Sequence, residues 1–273
     1  MHAPITHTGT PPQAGIDVEP NHVKPGRSIE QLYDITLEDI ECRQNIGSGL
    51  SLVVGKLATV AELNVTVNNL VVEGAVGAAS VDLKGLTELT ESESQRRLRL
   101  RADDDTLVDN IGILITGRAQ PNTTSPGFLT LNNVSVTNTA QPGFEVYGKL
   151  ATGAATTLRD VRLAKVAQAP TLRWGGANAP IVFHQSAPNS PVGSVYFDNC
   201  HVADTQARPF LVCDSCDSRG NATNISGSVV VHNPNSAGGT GIACQPHFGS
   251  HPQNVSLEVV CQNQTETKRV GRE

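Results

Sequence analysis

What most constrains this chain is a pair of short phrases that return at a nearly fixed interval. The first phrase is an apolar residue, a variable residue, Asn or Asp, and a second apolar residue. It reads Leu37-Glu38-Asp39-Ile40, Val67-Asn68-Asn69-Leu70, Leu131-Asn132-Asn133-Val134, Leu158-Arg159-Asp160-Val161 and Phe197-Asp198-Asn199-Cys200. The starts lie 30, 64, 27 and 39 residues apart. We read 64 as two periods of about 32 residues, with a weaker copy near Leu98-Arg99-Leu100 in the gap. Copies near Ile225 and Leu257 have lost the Asn or Asp.

The second phrase is an alternating run, usually after Gly or Pro. It starts at Ile16, Leu50, Val81, Ile113, Phe144, Ile181, Phe210 and Ile242, with intervals of 34, 31, 32, 31, 37, 29 and 32 residues. Period-2 alternation in segments rich in Val, Leu, Ile and Thr predicts short strands, two or three per repeat. No helical pattern long enough for a βαβ crossover lies between them. Strands without helices, at a period too short for a propeller blade, predict a solenoid of stacked coils. The fold class expected is all-β, a right-handed single-stranded parallel β-helix of about eight coils. Asn or Asp in the first phrase suits a left-handed backbone at a turn. A narrow interior filled by aliphatic side chains accounts for only 4% aromatic residues.

The boundaries expected are a remnant of a preceding coil or loop over 1–14, the β-helix over 15–262 and a polar tail over 263–273. The chain is similar to the right-handed parallel β-helix proteins of the pectate-lyase-like superfamily over nearly all of 15–262. The segment Gly-Thr-Pro-Pro-Gln-Ala-Gly-Ile-Asp-Val-Glu-Pro-Asn over 9–21 resembles one that recurs in β-helix proteins of poorly defined activity. In those proteins several coils precede it, so the resemblance implies a fragment lacking its N-terminal coils. Nothing matches the Asp-rich or Gly-His-Gly motifs of polygalacturonases, nor the Trp-x-Asp-His and Arg-x-x-Arg segments of pectate lyases. The resemblance therefore implies a fold and carries over no catalytic residue.

With apolar residues turned inward, the second phrase places two files on one outward sheet face. One runs Asp17, Ser51, Asp82, Leu114, Glu145, Val182, Leu211, Ala243; the other runs Glu19, Val53, Lys84, Thr116, Tyr147, His184, Cys213, Gln245. Asp17 and Glu19, about 7 Å apart on one strand face, suit an inverting acid/base pair. They equally suit a Ca²⁺ clamp with Asp82, since hard cations take carboxylate oxygens. Tyr147 and His184 are expected as neighbours with Glu145 nearby, a set able to supply a base and an acid for elimination from a uronic acid. Lys84 is a further candidate base or a docking charge for an anionic sugar, and Ser51 lines the same face. Trp174, in the longest insertion, could stack on a sugar ring or cap a coil edge. The bland alternative for each of these is solvated surface.

The expected function is binding, with cleavage or epimerisation, of an extracellular polysaccharide. A non-catalytic surface or adhesive β-helix is the competing expectation. With 26 acidic against 20 basic residues and a net charge of −6, a nucleic-acid groove is not expected. Nor is a membrane span, because the most apolar stretch, 50–83, is broken by Lys56, Glu62, Glu73 and Asp82. No secretory signal is visible over 1–13. Seven Asn-x-Ser/Thr sequons nevertheless suit a secreted glycoprotein, at Asn64, Asn122, Asn133, Asn221, Asn224, Asn254 and Asn263. Cys200, Cys213, Cys216, Cys244 and Cys261 crowd the last third. Disulfides are expected there, with a zinc site at Cys213-x-x-Cys216 as the alternative and no metal ligands assigned. His201, His232, His247 and His251 are read as surface histidines in turns or loops.

Overall fold

The computed structural model describes residues 14–18, 34–43, 45, 47–53, 64–74, 111–118, 128–149, 155–168, 179–184, 193–203, 209–213, 224–232, 244–248, 255–262 and 267–270. Within these residues the chain alternates between two sheets. One sheet, here A, holds β1 (Ile16–Val18), β3 (Leu50–Val53), β5 (Ile113–Arg118), β7 (Phe144–Lys149), β9 (Ile181–His184), β11 (Leu211–Cys213) and β13 (His247–Phe248). The other, B, holds β2 (Asp34–Arg43), β4 (Asn64–Glu73), β6 (Phe128–Thr137), β8 (Ala155–Ala164), β10 (Ser194–Ala203), β12 (Asn224–His232), β14 (Val255–Gln262) and β15 (Thr267–Val270). Spatial order follows sequence order in both sheets, and every pairing is parallel except β14 with β15. The protein is therefore all-β, with no α-helix among the described residues, and its path is consistent with a β-solenoid.

The strands of sheet B bend, and the bend is where the Asn/Asp phrase acts. Asp39, Asn69, Asn133, Asp160 and Asn199 all have φ between 51° and 57°. That left-handed conformation is costly for most side chains and cheapest for Gly, Asn and Asp. Two strand segments thus meet at one residue, and inward positions lie on both sides of it. Before the bend the inward files are Val65, Leu129, Thr156, Val195, Ile225 and Val67, Leu131, Leu158, Phe197. After it they include Leu70, Val134, Val161, Val229 and Val72, Val136, Leu163, Val202, Val231. Sheet A contributes Leu50, Ile113, Phe144, Ile181, Leu211 and Leu52, Ile115, Val146, Phe183, Cys213 to the same core. Four Phe residues are fully buried there: Phe144, Phe183, Phe197 and Phe210. The interior is thus not purely aliphatic, and Phe144 meets Phe183 edge-on at a 6.1 Å centroid distance.

Two glycines show how tightly the coils stack. Gly112 precedes β5, where a Cβ would lie 2.3 Å from Val136 Cγ1 and 2.5 Å from the Gly143 carbonyl oxygen. Gly227, at φ +102°, lies against the Phe197 backbone, whose carbonyl oxygen would stand 1.8 Å from an added Cβ. At that point β12 drops one residue: Phe197 pairs with Gly227 and Cys200 with Val229. In the copy near Ile225, Gly227 at positive φ stands where the earlier copies have their Asn or Asp bend.

Several expectations are corrected. Leu50 pairs directly with Ile113 and Val67 directly with Leu131. The Val81 run and the Leu98 copy lie outside the described residues, and sheet A has seven described rungs. Ser51 pairs directly with Leu114, and Asp82, expected between them, lies outside the described residues. In β11 the register slips by one: Leu211 and Cys213 point inward and Val212 outward. Pro209-Phe210-Leu211-Val212-Cys213 has no polar alternation to fix its face, and a one-residue slip exchanges the two sides. The next described sheet A strand is His247–Phe248, so Gln245 is outside the file, and Ala243 lies outside the described residues. Residues 267–270 form a strand antiparallel to β14 within the expected tail.

Candidate functional site

The expected face is the outer side of sheet A. Its first file runs Asp17, Ser51, Leu114, Glu145, Val182, Val212, His247 by register. Asp17 is exposed, but Ser51, Leu114, Val182 and Val212 are buried, and Glu145 is 0% exposed. Val182 and Val212 join Ala179 in a second apolar cluster on this side. Over its middle coils the face is covered, not an open groove. In the second file Tyr147, half-buried, is the register partner of His184, as expected from the sequence. Asp17 is three rungs from Glu145, about 14 Å at 4.8 Å per rung. Those two acids cannot share one reacting atom. Glu19, Asp82, Lys84 and Trp174 lie outside the described residues.

The outer side of sheet B is different, and the sequence reading passed over it. Ahead of the bend, registered residues run Thr36, Thr66, Thr130, Thr157, Tyr196, Ser226, Ser256. Every member carries a hydroxyl, able to donate one hydrogen bond and accept two. Beside it run Glu38, Asn68, Asn132, Arg159 and Asp198. These bond along the file: Asn68 Nδ2 donates to Glu38 Oε1 (3.3 Å), Asn132 Nδ2 to Asn68 Oδ1 (2.9 Å) and Arg159 Nε to Asp198 Oδ2 (2.9 Å). Phe128 and Tyr196 stand 47% and 46% exposed on the same surface. A usable signal was present: in the five copies that keep the Asn or Asp, a hydroxyl residue stands three positions before the bend residue.

The bend residues form their own ladder. Asn69 Nδ2 donates to Asp39 Oδ1 (2.8 Å), Asn133 Nδ2 to Asn69 Oδ1 (2.8 Å) and Asn199 Nδ2 to Asp160 Oδ1 (2.5 Å). The sequon residue Asn133 thus spends its amide inside the ladder, and Asn64 Nδ2 donates to Asp34 Oδ1 at 3.1 Å.

Beyond the bend, His201 and His232 lie on β10 and β12, not in loops. His201 Nδ1 stands 2.7 Å from His232 Nε2, and the rings meet end to end, with planes 14° apart and centroids 5.0 Å apart. Desolvation lowers the His201 pKa, helped by His232 and Arg162 and opposed by Asp160. Among the described residues no group of three or more His, Cys, Asp or Glu is arranged to hold a metal ion.

The cysteines sort by position. Cys244 is joined to Cys261, and Cys213 is also disulfide-bonded, which removes it as a zinc thiolate. Cys42 and Cys200 are free and buried, and burial pushes each thiol up to about 11.

No helix of the described residues is long and apolar enough to cross a membrane. The fold and surfaces together define an all-β protein of two parallel sheets, compatible with a β-helix. In comparisons with known proteins, the chain matches no family model, no curated protein and no solved structure.

Proposed function

We propose that the two sheets wind as one right-handed β-helix, and that the outer face of sheet B binds an elongated extracellular polysaccharide. Right-handed winding is supported because parallel strands joined by a crossover take that hand in about 98% of cases. The observation that carries the binding reading is the seven-rung hydroxyl file, Thr36 to Ser256, with Phe128 and Tyr196 exposed beside it. Hydroxyls repeating about every 4.8 Å present one row of donors and acceptors to a polymer that repeats its own hydroxyls. Exposed aromatic rings supply an apolar surface for a sugar ring face. The flanking amides, carboxylates and Arg159 add directional hydrogen bonds. Disulfides at Cys213 and Cys244–Cys261 support an oxidising compartment, and hence an extracellular location.

The test is binding to a panel of neutral and uronic-acid polysaccharides. A variant carrying Thr130→Val, Thr157→Val and Tyr196→Ala should lose most binding while its thermal unfolding stays close to that of the parent chain. Equal retention by parent and variant on every polysaccharide would end this reading.

A second reading places elimination chemistry on sheet A, favoured by the Tyr147–His184 pairing. It requires unsaturated products, read by absorbance, that disappear in Tyr147→Phe. Binding without such products leaves the chain a non-catalytic surface protein.

A further inference from the structure

The structure assigns His201 and His232 to a two-imidazole site for a borderline divalent transition ion, Cu²⁺ above Ni²⁺ or Zn²⁺. The residues come from neighbouring strands of sheet B, beyond the bend, on the outer side. Alternation fixes their side: Cys200, Val202, Val229 and Val231 turn into the core, so His201, Val230 and His232 turn out.

A chain of hydrogen bonds sets which nitrogens face each other with lone pairs. Asn199 Nδ2 donates to the Asp160 carboxylate, which fixes the orientation of the Asn199 amide. Its Oδ1 can then only accept, and it lies 2.9 Å from His201 Nε2. His201 therefore carries its proton on Nε2 and directs the Nδ1 lone pair at His232. In the metal-free pair, His232 Nε2–H donates across the 2.7 Å separation. On binding, that proton moves to His232 Nδ1 through solvent, so both facing nitrogens offer lone pairs and no net proton is released. The neutral imidazole nitrogen is the ligand form in each case.

The spacing fits an ion. Two nitrogens about 2.0–2.1 Å from one ion and 90° apart stand about 2.9 Å from each other. The pair must open by a few tenths of an ångström, and each ring must swing by about 45° so that its lone pair turns from the partner nitrogen to the ion. Imidazole suits copper, nickel and zinc, and affinity for a nitrogen site peaks at Cu²⁺. Asp160 and Asn199 serve as positioning residues, in the way a carbonyl or carboxylate orients a ligating imidazole. Arg162, the register partner of His201 on β8, sets a positive charge beside the site. It weakens binding, and water completes the coordination.

The experiment is calorimetric titration of the whole chain with CuCl₂ and, separately, ZnCl₂, with electron paramagnetic resonance of the Cu²⁺ form. The result expected is one site whose copper spectrum shows two imidazole nitrogens and whose affinity exceeds that for zinc. His201→Gln and His232→Gln should each lose about tenfold or more in affinity, and Arg162→Ala should gain. His247→Gln, on sheet A, should leave the site unchanged. Wild-type chain that binds no copper, or His201→Gln and His232→Gln variants that both keep the parent affinity and spectrum, would overturn the assignment.

Discussion

The outer faces of sheets A and B obey the same alternation and end in opposite environments. On sheet A the outward residues of the middle coils, Leu114, Glu145, Val182 and Val212, are buried. On sheet B the outward residues before the bend are mostly hydroxyls, amides and charged groups, with Phe128 and Tyr196 exposed among them. The difference teaches that alternation tells only which residues leave the core of the coil. Whether those residues reach solvent depends on what else packs there, and an outward file rich in Leu and Val is the sign of a covered sheet. A ligand face is better sought where the outward file stays polar over many rungs.

The sharpest way to break this comparison is to put the same acid on both faces. Val182→Asp buries a carboxylate without a designed partner and should cost about 3–5 kcal/mol. Tyr196→Asp, on the exposed face, should stay within about 1 kcal/mol. Equal losses in urea unfolding would show the two faces to be alike.

A smaller effect concerns the last coils, where Cys244–Cys261 closes a loop of sequence separation 17. Replacing both with Ser should cost about 2–4 kcal/mol, read in the same unfolding experiment. The ladder of bend residues comes next. Asn133→Ala places an ordinary side chain at φ 51° and removes the Asn69 bond, for a loss of about 1–2 kcal/mol. Asn133→Gly should recover part of it, because glycine accepts that backbone.

Alkaline stability tests the core beneath both faces. Cys42 and Cys200 have thiols raised from 9.0 to about 11 in the fold. Folding favours the protonated form, so their contribution is complete below about pH 9 and is lost as pH rises from about 9 to about 11. Alkylation of the native chain should follow the same window, and rapid labelling of both thiols at pH 8 would contradict their burial. The smallest expected effect is Thr130→Val on the exposed face, within about 0.5 kcal/mol.

Much of the fold was legible because two of its determinants are local. Leu50, Leu52, Ile113, Ile115, Phe144, Val146, Ile181 and Phe183 occupy the core positions that alternation gives them. Asp39, Asn69, Asn133, Asp160 and Asn199 take the left-handed backbone their side chains tolerate. The run at Val81 alternates in the same way, but alternation alone does not say which rungs are neighbours. Only the direct Leu50–Ile113 register shows that β3 and β5 are adjacent. At Phe210 the apolar run gave no polar residue to set the face. The candidate site was less legible for a related reason. Ser51 and Glu145 are polar in sequence yet buried in space, while His201 and His232 are 31 residues apart in the chain and meet only through strand register.

The ladder of bend residues also has a direction. Each amide passes its N–H to the coil before it, from Asn133 to Asn69 to Asp39 and from Asn199 to Asp160. A carboxylate can receive such a bond but has no N–H to hand on. Asp39 and Asp160 therefore act as full stops, dividing one column of five into a sentence of three and a sentence of two. Asp160→Asn would remove the second stop, letting polarisation run without interruption along the column from Asn199 to Asp39.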